Sequence, residues 1–182
     1  MKRGFSLIEL LTVLAVAAVA ACLALPAMQD TVRRYQLNAA VADLVGAIDL
    51  TRSQAIARAG RVMLAPLEPG GVNWGAGWVV FVDANADRRP SPDEEVIASH
   101  VPLAAELLIS TSFTGSGAPY YIAFNSAGRP CSATSGQAAH WGTLSLYLGE
   151  AVRRIRVNML GRVRVCDPQR GPGNCPAPGK DG

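Results

Sequence analysis

Residues 1–26 read MKRGFSLIELLTVLAVAAVAACLALP, and this stretch decides how the rest of the chain is organised. From Phe5 to Leu25 the only polar side chains are Ser6, Glu9 and Thr12. The apolar run therefore has about the 20 residues that a helix needs to cross a bilayer. Lys2 and Arg3 precede it, and the positive-inside bias holds a short leader, residues 1–4, on the cytoplasmic side, so that the chain after the span at 5–26 lies across the membrane. A carboxylate one turn into such a helix costs a few kcal/mol unless it finds a partner, which marks Glu9 as a functional residue.

Working outward from the span, Leu37, Val41, Leu44, Val45, Ile48 and Ile56 recur at helical spacing, with Arg33, Arg34, Asp43, Asp49, Arg52 and Arg58 largely elsewhere. The pattern predicts an amphipathic helix over 27–60 that continues from the span, bends at Pro26 and ends near Gly60. Eight short runs rich in β-branched and aromatic residues follow, separated by Gly, Pro, Asn and Asp: 62–67, 77–82, 95–99, 107–112, 120–125, 143–148, 152–157 and 162–166. One long helix followed by antiparallel strands is an α+β arrangement, with a β-rich head at 61–166. The Pro/Gly-rich tail, 167–182, has no residues with which to build a packed element.

Gly4-Phe5-Ser6-Leu7-Ile8-Glu9-Leu10 resembles the class III signal of type IV pilins and of type II secretion pseudopilins. The resemblance implies the type IV pilin fold, cleavage by a prepilin peptidase between Gly4 and Phe5, and methylation of the new N-terminus on Phe5. It also implies that Glu9 contacts the N-terminal amine of a neighbouring subunit during filament assembly. The expected localisation is an inner-membrane, single-pass protein with a periplasmic head, later a pilus subunit, and the expected partners are other major and minor pilins. Gly77-Trp78-Val79-Val80-Phe81-Val82-Asp83-Ala84-Asn85, with Ile155 to Asn158 and Gly161 to Arg164, is similar to the FimT/GspH branch of minor pilins and pseudopilins. A rival reading of the span is Val19-Ala20-Ala21-Cys22 as a lipobox, but a lipoprotein signal has no use for Glu9.

The formal net charge of +3 is unevenly distributed. Residues 151–182 hold seven cations against two carboxylates, a net of +5, which points to a polyanionic partner. In Ala151 to Val165, Arg154 and Arg156 alternate with Ile155 and Val157, and Arg162 and Arg164 alternate with Val163 and Val165. Each strand then has an apolar face and an arginine face. A three-residue turn, Asn158 to Leu160, sets Arg156 opposite Arg162 and Arg154 opposite Arg164. Like charges placed opposite one another are destabilising, so such a cluster makes sense if it meets phosphates, which arginine grips with a planar fork. Gly161-Arg162-Val163-Arg164 matches the GRxR motif of FimT-like minor pilins, and the resemblance implies DNA binding by Arg162 and Arg164 for uptake in natural transformation. Arg153, Arg154 and Arg156 extend the set on charge pattern alone. The alternative is a structural pseudopilin of a type II secretion system, or a pilus-priming subunit, in which these arginines contact other subunits.

Of the cysteines, Cys22 falls in the span, while Cys131, Cys166 and Cys175 fall in the exported part, where one pair is expected to oxidise. Cys166 with Cys175 closes a short Pro/Gly loop, whereas Cys131 with Cys166 ties the last strand to an earlier one, and spacing does not choose between them. Asp83 to Glu94 places oxygen ligands at loop positions one, three, five and twelve, as in a calcium loop. Arg88 stands where that loop has glycine and no helices flank it, so the reading is a polar connection between strands, with no metal and no cofactor. Motifs of catalysis are absent from the sequence, and His100 and His140 have no metal spacing, so each reads as a surface or hydrogen-bonded strand residue and no enzyme is expected.

Overall fold

The computed structural model describes residues 7–115, 117–171, 173, 175 and 176, with side chains omitted for 23–27. The leader, the cleavage pair Gly4 and Phe5, and the tail beyond 176 lie outside the described residues. The chain divides into two compact units at Gln36/Leu37. A single helix, α1, runs Leu7–Ala57 and stays helical through Pro26.

In the first unit, Leu7, Ile8, Leu10, Leu11, Val13, Leu14, Val16 and Val19 are all more than half exposed, and Glu9 is exposed among them. Among the described residues no helix is long and apolar enough to cross a membrane. The apolar run of α1 continues past Cys22 into the residues whose side chains are not described. An uncovered apolar surface of this extent needs another apolar phase or another chain against it.

The second unit contains two antiparallel sheets. Strands β1 (Val62–Pro66), β2 (Trp78–Phe81), β3 (Val96–His100) and β5 (Ile122–Phe124) form one, in the order β3-β2-β1-β5. Strands β4 (Leu108–Phe113), β6 (Gly142–Leu148), β7 (Ala151–Val157) and β8 (Val163–Cys166) form the other, in the order β4-β6-β7-β8. A 3₁₀ turn at Trp74–Ala76, with no signal in the sequence pattern, precedes β2 and is capped by the Asn73 side chain.

Both sheets pack on the same helical stripe. Leu37, Ala40, Val41, Leu44, Ile48 and Ala55 share one core with Val62 and Leu64 of β1, Leu144 and Leu146 of β6, and Ile155 and Val157 of β7. The buried line passes through Thr51 and Ala55 and leaves Ile56 half exposed, because 3.6 residues per turn carries position 56 off the stripe that begins at Leu37. Thr51 is accommodated there by donating its hydroxyl to the Ala47 carbonyl at 2.6 Å. A smaller core, with Met63, Ala65, Phe81, Tyr121 and Cys131, covers the opposite face of the first sheet, so β1 is buried on both sides.

Cys166 is bonded to Cys175, while Cys131 is a buried free thiol in the small core, where burial pushes its pKa up. The alternative pair, Cys131 with Cys166, does not form because one lies in the core beside the first sheet and the other ends the edge strand of the second. His140 is neither a surface nor a strand residue. It is buried, its ring stacked on Tyr121 with centroids 4.4 Å apart and 5.4 Å from Phe113. Burial, with a smaller contribution from Arg88, pulls its pKa below the ordinary histidine range.

Candidate nucleic-acid interface

The β7–β8 connection differs from the three-residue turn read from the sequence. Val157 pairs with Val163, Arg156 with Arg164, and Arg154 with Cys166, a shift of two residues. The cause is Asn158. Its side-chain oxygen accepts from the amides of both Leu160 (3.0 Å) and Arg162 (2.9 Å), while its carbonyl accepts from Gly161 N at 2.8 Å. That network makes 158–162 the connection and leaves Arg162 just outside β8. A shift of two preserves which side chains share a face, since the strand period is two. Arg154, Arg156 and Arg164 still project from the face opposite Ile155 and Val157.

Gly161 has φ of +79°, and a Cβ there would lie 2.8 Å from the Gly128 carbonyl oxygen. Its own carbonyl accepts from Arg52 Nη1 of α1 at 3.0 Å, which ties the turn to the helix. Glycine is needed here for both backbone angle and space. Its role is to shape the loop that carries Arg162.

The six residues singled out on charge and motif therefore separate into groups. Arg162 and Arg164 are exposed, and with the half-buried Arg156 they line a groove of about 1000 Å³. Arg154 is turned to a structural task, with Nη1 donating to the carbonyls of Cys175 (2.9 Å) and Pro176 (3.0 Å), so it fastens the disulfide loop. Arg153 does not join them. It lies on the core face of β7, opposite Leu146, where its Nη1 meets Asp167 Oδ2 at 2.8 Å in a largely buried ion pair. Extending the set by charge alone ignores the period of two, which places residue 153 with Ile155 and Val157.

Three further groove residues carried no signal of that role in the sequence. Trp141 lines the groove, its backbone locked to Thr114 by amide-to-carbonyl and amide-to-hydroxyl bonds of 2.9 and 3.2 Å. Met159 and Leu160, both more than half exposed, form its lip. Among its described lining residues there is no carboxylate. Arginine forks beside an indole and flexible apolar side chains suit a ligand with phosphate charge and flat, stackable groups.

A long N-terminal helix with its second half packed on antiparallel sheets defines a protein of the type IV pilin fold. Solved structures agree at the level of fold. The type IV minor pilin FimU of Pseudomonas aeruginosa has a TM-score of 0.57 at 17% identity, covering 75% of this chain and 92% of that one. The minor pseudopilin EpsH of the Vibrio cholerae type 2 secretion system has a TM-score of 0.52 at 12% identity, covering 73% and 98%. In sequence, the prokaryotic N-terminal methylation motif matches residues 1–25 and the profile of the type II transport protein GspH matches residues 40–161. The pilin-like protein PilA1 of Thermus thermophilus is 31% identical over 166 residues, which is 90% of this chain and 98% of that protein. The chain belongs to the GspH family and is a minor pilin or pseudopilin.

Proposed function

We propose that this protein is a FimT-like minor pilin that binds DNA without sequence preference, through Arg162, Arg164 and Arg156, for uptake in natural transformation. The observation that carries this reading is the convergence of three arginines on one groove that has no acidic residue among its described lining. Arg156 and Arg164 are directly opposed across β7 and β8, which brings their guanidinium groups to one face where backbone phosphates can meet both. In the same reading, residues 1–4 are a leader removed by prepilin peptidase between Gly4 and Phe5, and the apolar run at 5–26 spans the inner membrane until assembly. Glu9 then meets the N-terminal amine of the next subunit as the head, 61–166, passes into the filament with the other pilins.

A second reading, a structural pseudopilin of a type II secretion system, is favoured by one observation. The GspH match ends at residue 161, so Arg162 and Arg164 lie just beyond the part that the family shares.

The two readings separate in a gel-shift titration of the full chain in detergent micelles, using duplexes of unrelated sequence over a range of salt. Three phosphate contacts give a log–log salt slope of roughly −2.7, and changing Arg162→Ala with Arg164→Ala reduces it to roughly −0.9. Absence of binding by the folded wild type at low salt overturns the DNA reading and leaves the structural one.

A further inference from the structure

The connection between β2 and β3 contains the twelve residues Asp83 to Glu94, with oxygen-bearing side chains at positions one, three, five, nine and twelve: Asp83, Asn85, Asp87, Ser91 and Glu94. Two sequence arguments stand against an EF-hand-type loop: strands rather than helices flank it, which leaves its oxygens available to a cation, and Arg88 holds the sixth position, where the chain must turn through a left-handed conformation. In the fold Arg88 has φ of +68°, so the chain takes that turn with arginine in place of glycine. The Arg88 guanidinium lies over the Tyr121 ring, 5.1 Å from its centroid, and so packs against the small core. The conformational objection is thereby removed.

Carboxylate oxygens of Asp83, Asp87 and Glu94 lie within 4.8 Å of one another. Calcium–oxygen bonds of about 2.4 Å place opposing ligands about 4.8 Å apart, so the spacing suits one ion among them. Backbone amides hold most of the carboxylate oxygens in place. Glu94 accepts from Ala84 N (2.8 Å) on one oxygen and Ser91 N (3.0 Å) on the other, Asp83 Oδ1 from Ala86 N (2.8 Å), and Asp87 Oδ1 from Arg89 N (2.8 Å). The Asn85 amide donates to Asp87 Oδ2 at 3.0 Å and to Ser91 Oγ at 3.3 Å.

One oxygen is left over. Asp83 is 3% exposed, and its Oδ2 has no hydrogen-bond partner in the structure. Arg61 directs Nη2 to the Asp83 backbone carbonyl at 3.0 Å. A buried carboxylate with one oxygen lacking a donor, clustered with two further carboxylates, is a site that a cation completes.

We propose that Asp83, Asp87 and Glu94 bind a calcium ion, with backbone carbonyls and water supplying the remaining ligands. The donor set is all oxygen, without the histidine or cysteine that zinc prefers. Calcium accepts an irregular shell of six to eight oxygens, whereas magnesium demands a near-ideal octahedron and keeps several waters, so calcium suits a three-carboxylate loop better. The positive charges of Arg61, Arg88 and Arg89 oppose the ion, and the affinity expected is that of weak extracellular calcium modules, roughly 10⁻⁴–10⁻³ M. The bound ion would clamp the end of β2 to the start of β3.

The test uses the full chain in detergent micelles, titrated with Tb³⁺ and then Ca²⁺ while terbium luminescence and thermal melting are recorded. The expected result is luminescence that Ca²⁺ displaces, a rise of Tm with Ca²⁺, and a midpoint raised roughly tenfold or more by Asp87→Asn. Asp87 is exposed, so this change spares the fold, and circular dichroism checks that it does. The control Asp93→Asn, outside the cluster, leaves the midpoint unchanged. No response of the folded wild type up to about 10 mM Ca²⁺, or equal midpoints for wild type and Asp87→Asn, overturns the site.

Discussion

The β7–β8 turn and the β2–β3 loop solve the same problem with opposite charge. Both reverse an antiparallel pair, both fold around short polar side chains that accept backbone amides, and both need a residue with positive φ. The first collects arginines, the second carboxylates. They differ in the residues that take the left-handed conformation, Gly161 in one and Ala86 with Arg88 in the other. Glycine is required at 161 because the turn is pressed against Gly128, whereas the turn at 88 is open enough for a guanidinium to leave it and lie on Tyr121. A positive φ alone does not dictate glycine; the space around the Cβ decides.

The strongest way to break this comparison is Gly161→Ala. A methyl 2.8 Å from a backbone carbonyl, added to a left-handed φ, is expected to destabilise the fold by about 3 kcal/mol, measured by urea denaturation. A loss under about 1 kcal/mol means that the two turns have equal freedom.

A smaller effect reaches the acidic side through His140, which stacks on the same Tyr121 ring that Arg88 covers. Because its pKa is lowered in the folded chain, the unfolded state binds more protons once pH drops below the ordinary value of about 6.5. Stability from this group is therefore full above that pH and falls as pH drops toward the folded pKa, at no more than about 1.4 kcal/mol per pH unit. Melting curves between pH 7.5 and 5 for wild type and His140→Gln measure it, with the variant showing the flatter profile.

The smallest change expected is for Arg88→Gly. Relief of the left-handed backbone, worth about 1 kcal/mol, is offset by loss of the contact with Tyr121, worth about 0.5–1 kcal/mol, so denaturation midpoints stay within about 0.5 kcal/mol of wild type. A large gain in stability would sharpen the contrast by showing that the arginine is held there against strain.

Much of this was legible in the sequence because it depends on period. The strands follow short β-branched and aromatic runs bounded by turn residues, β7 adds alternation, and α1 follows the 3.6 repeat from Leu37 to Ile48. The arginine face was legible for the same reason, and it survived a register error of two because parity is unchanged. What was not legible depends on contacts between segments distant in sequence. Asn158 sets the turn through its side chain, Arg154 is drawn to the carbonyls of Cys175 and Pro176, and Arg153 to Asp167. Trp141 reaches the groove, and Asp83 loses its solvent, only when the sheets are in place.

The double burial of β1 links the two cores mechanically. Val62 and Leu64 belong to the core under α1, while Met63 and Ala65 belong to the small one, so alternate residues of five tie both together. Neither core can open without taking this strand from the other. In hydrogen-exchange terms the amides of β1 are the last to exchange, and the head comes apart as a single cooperative unit.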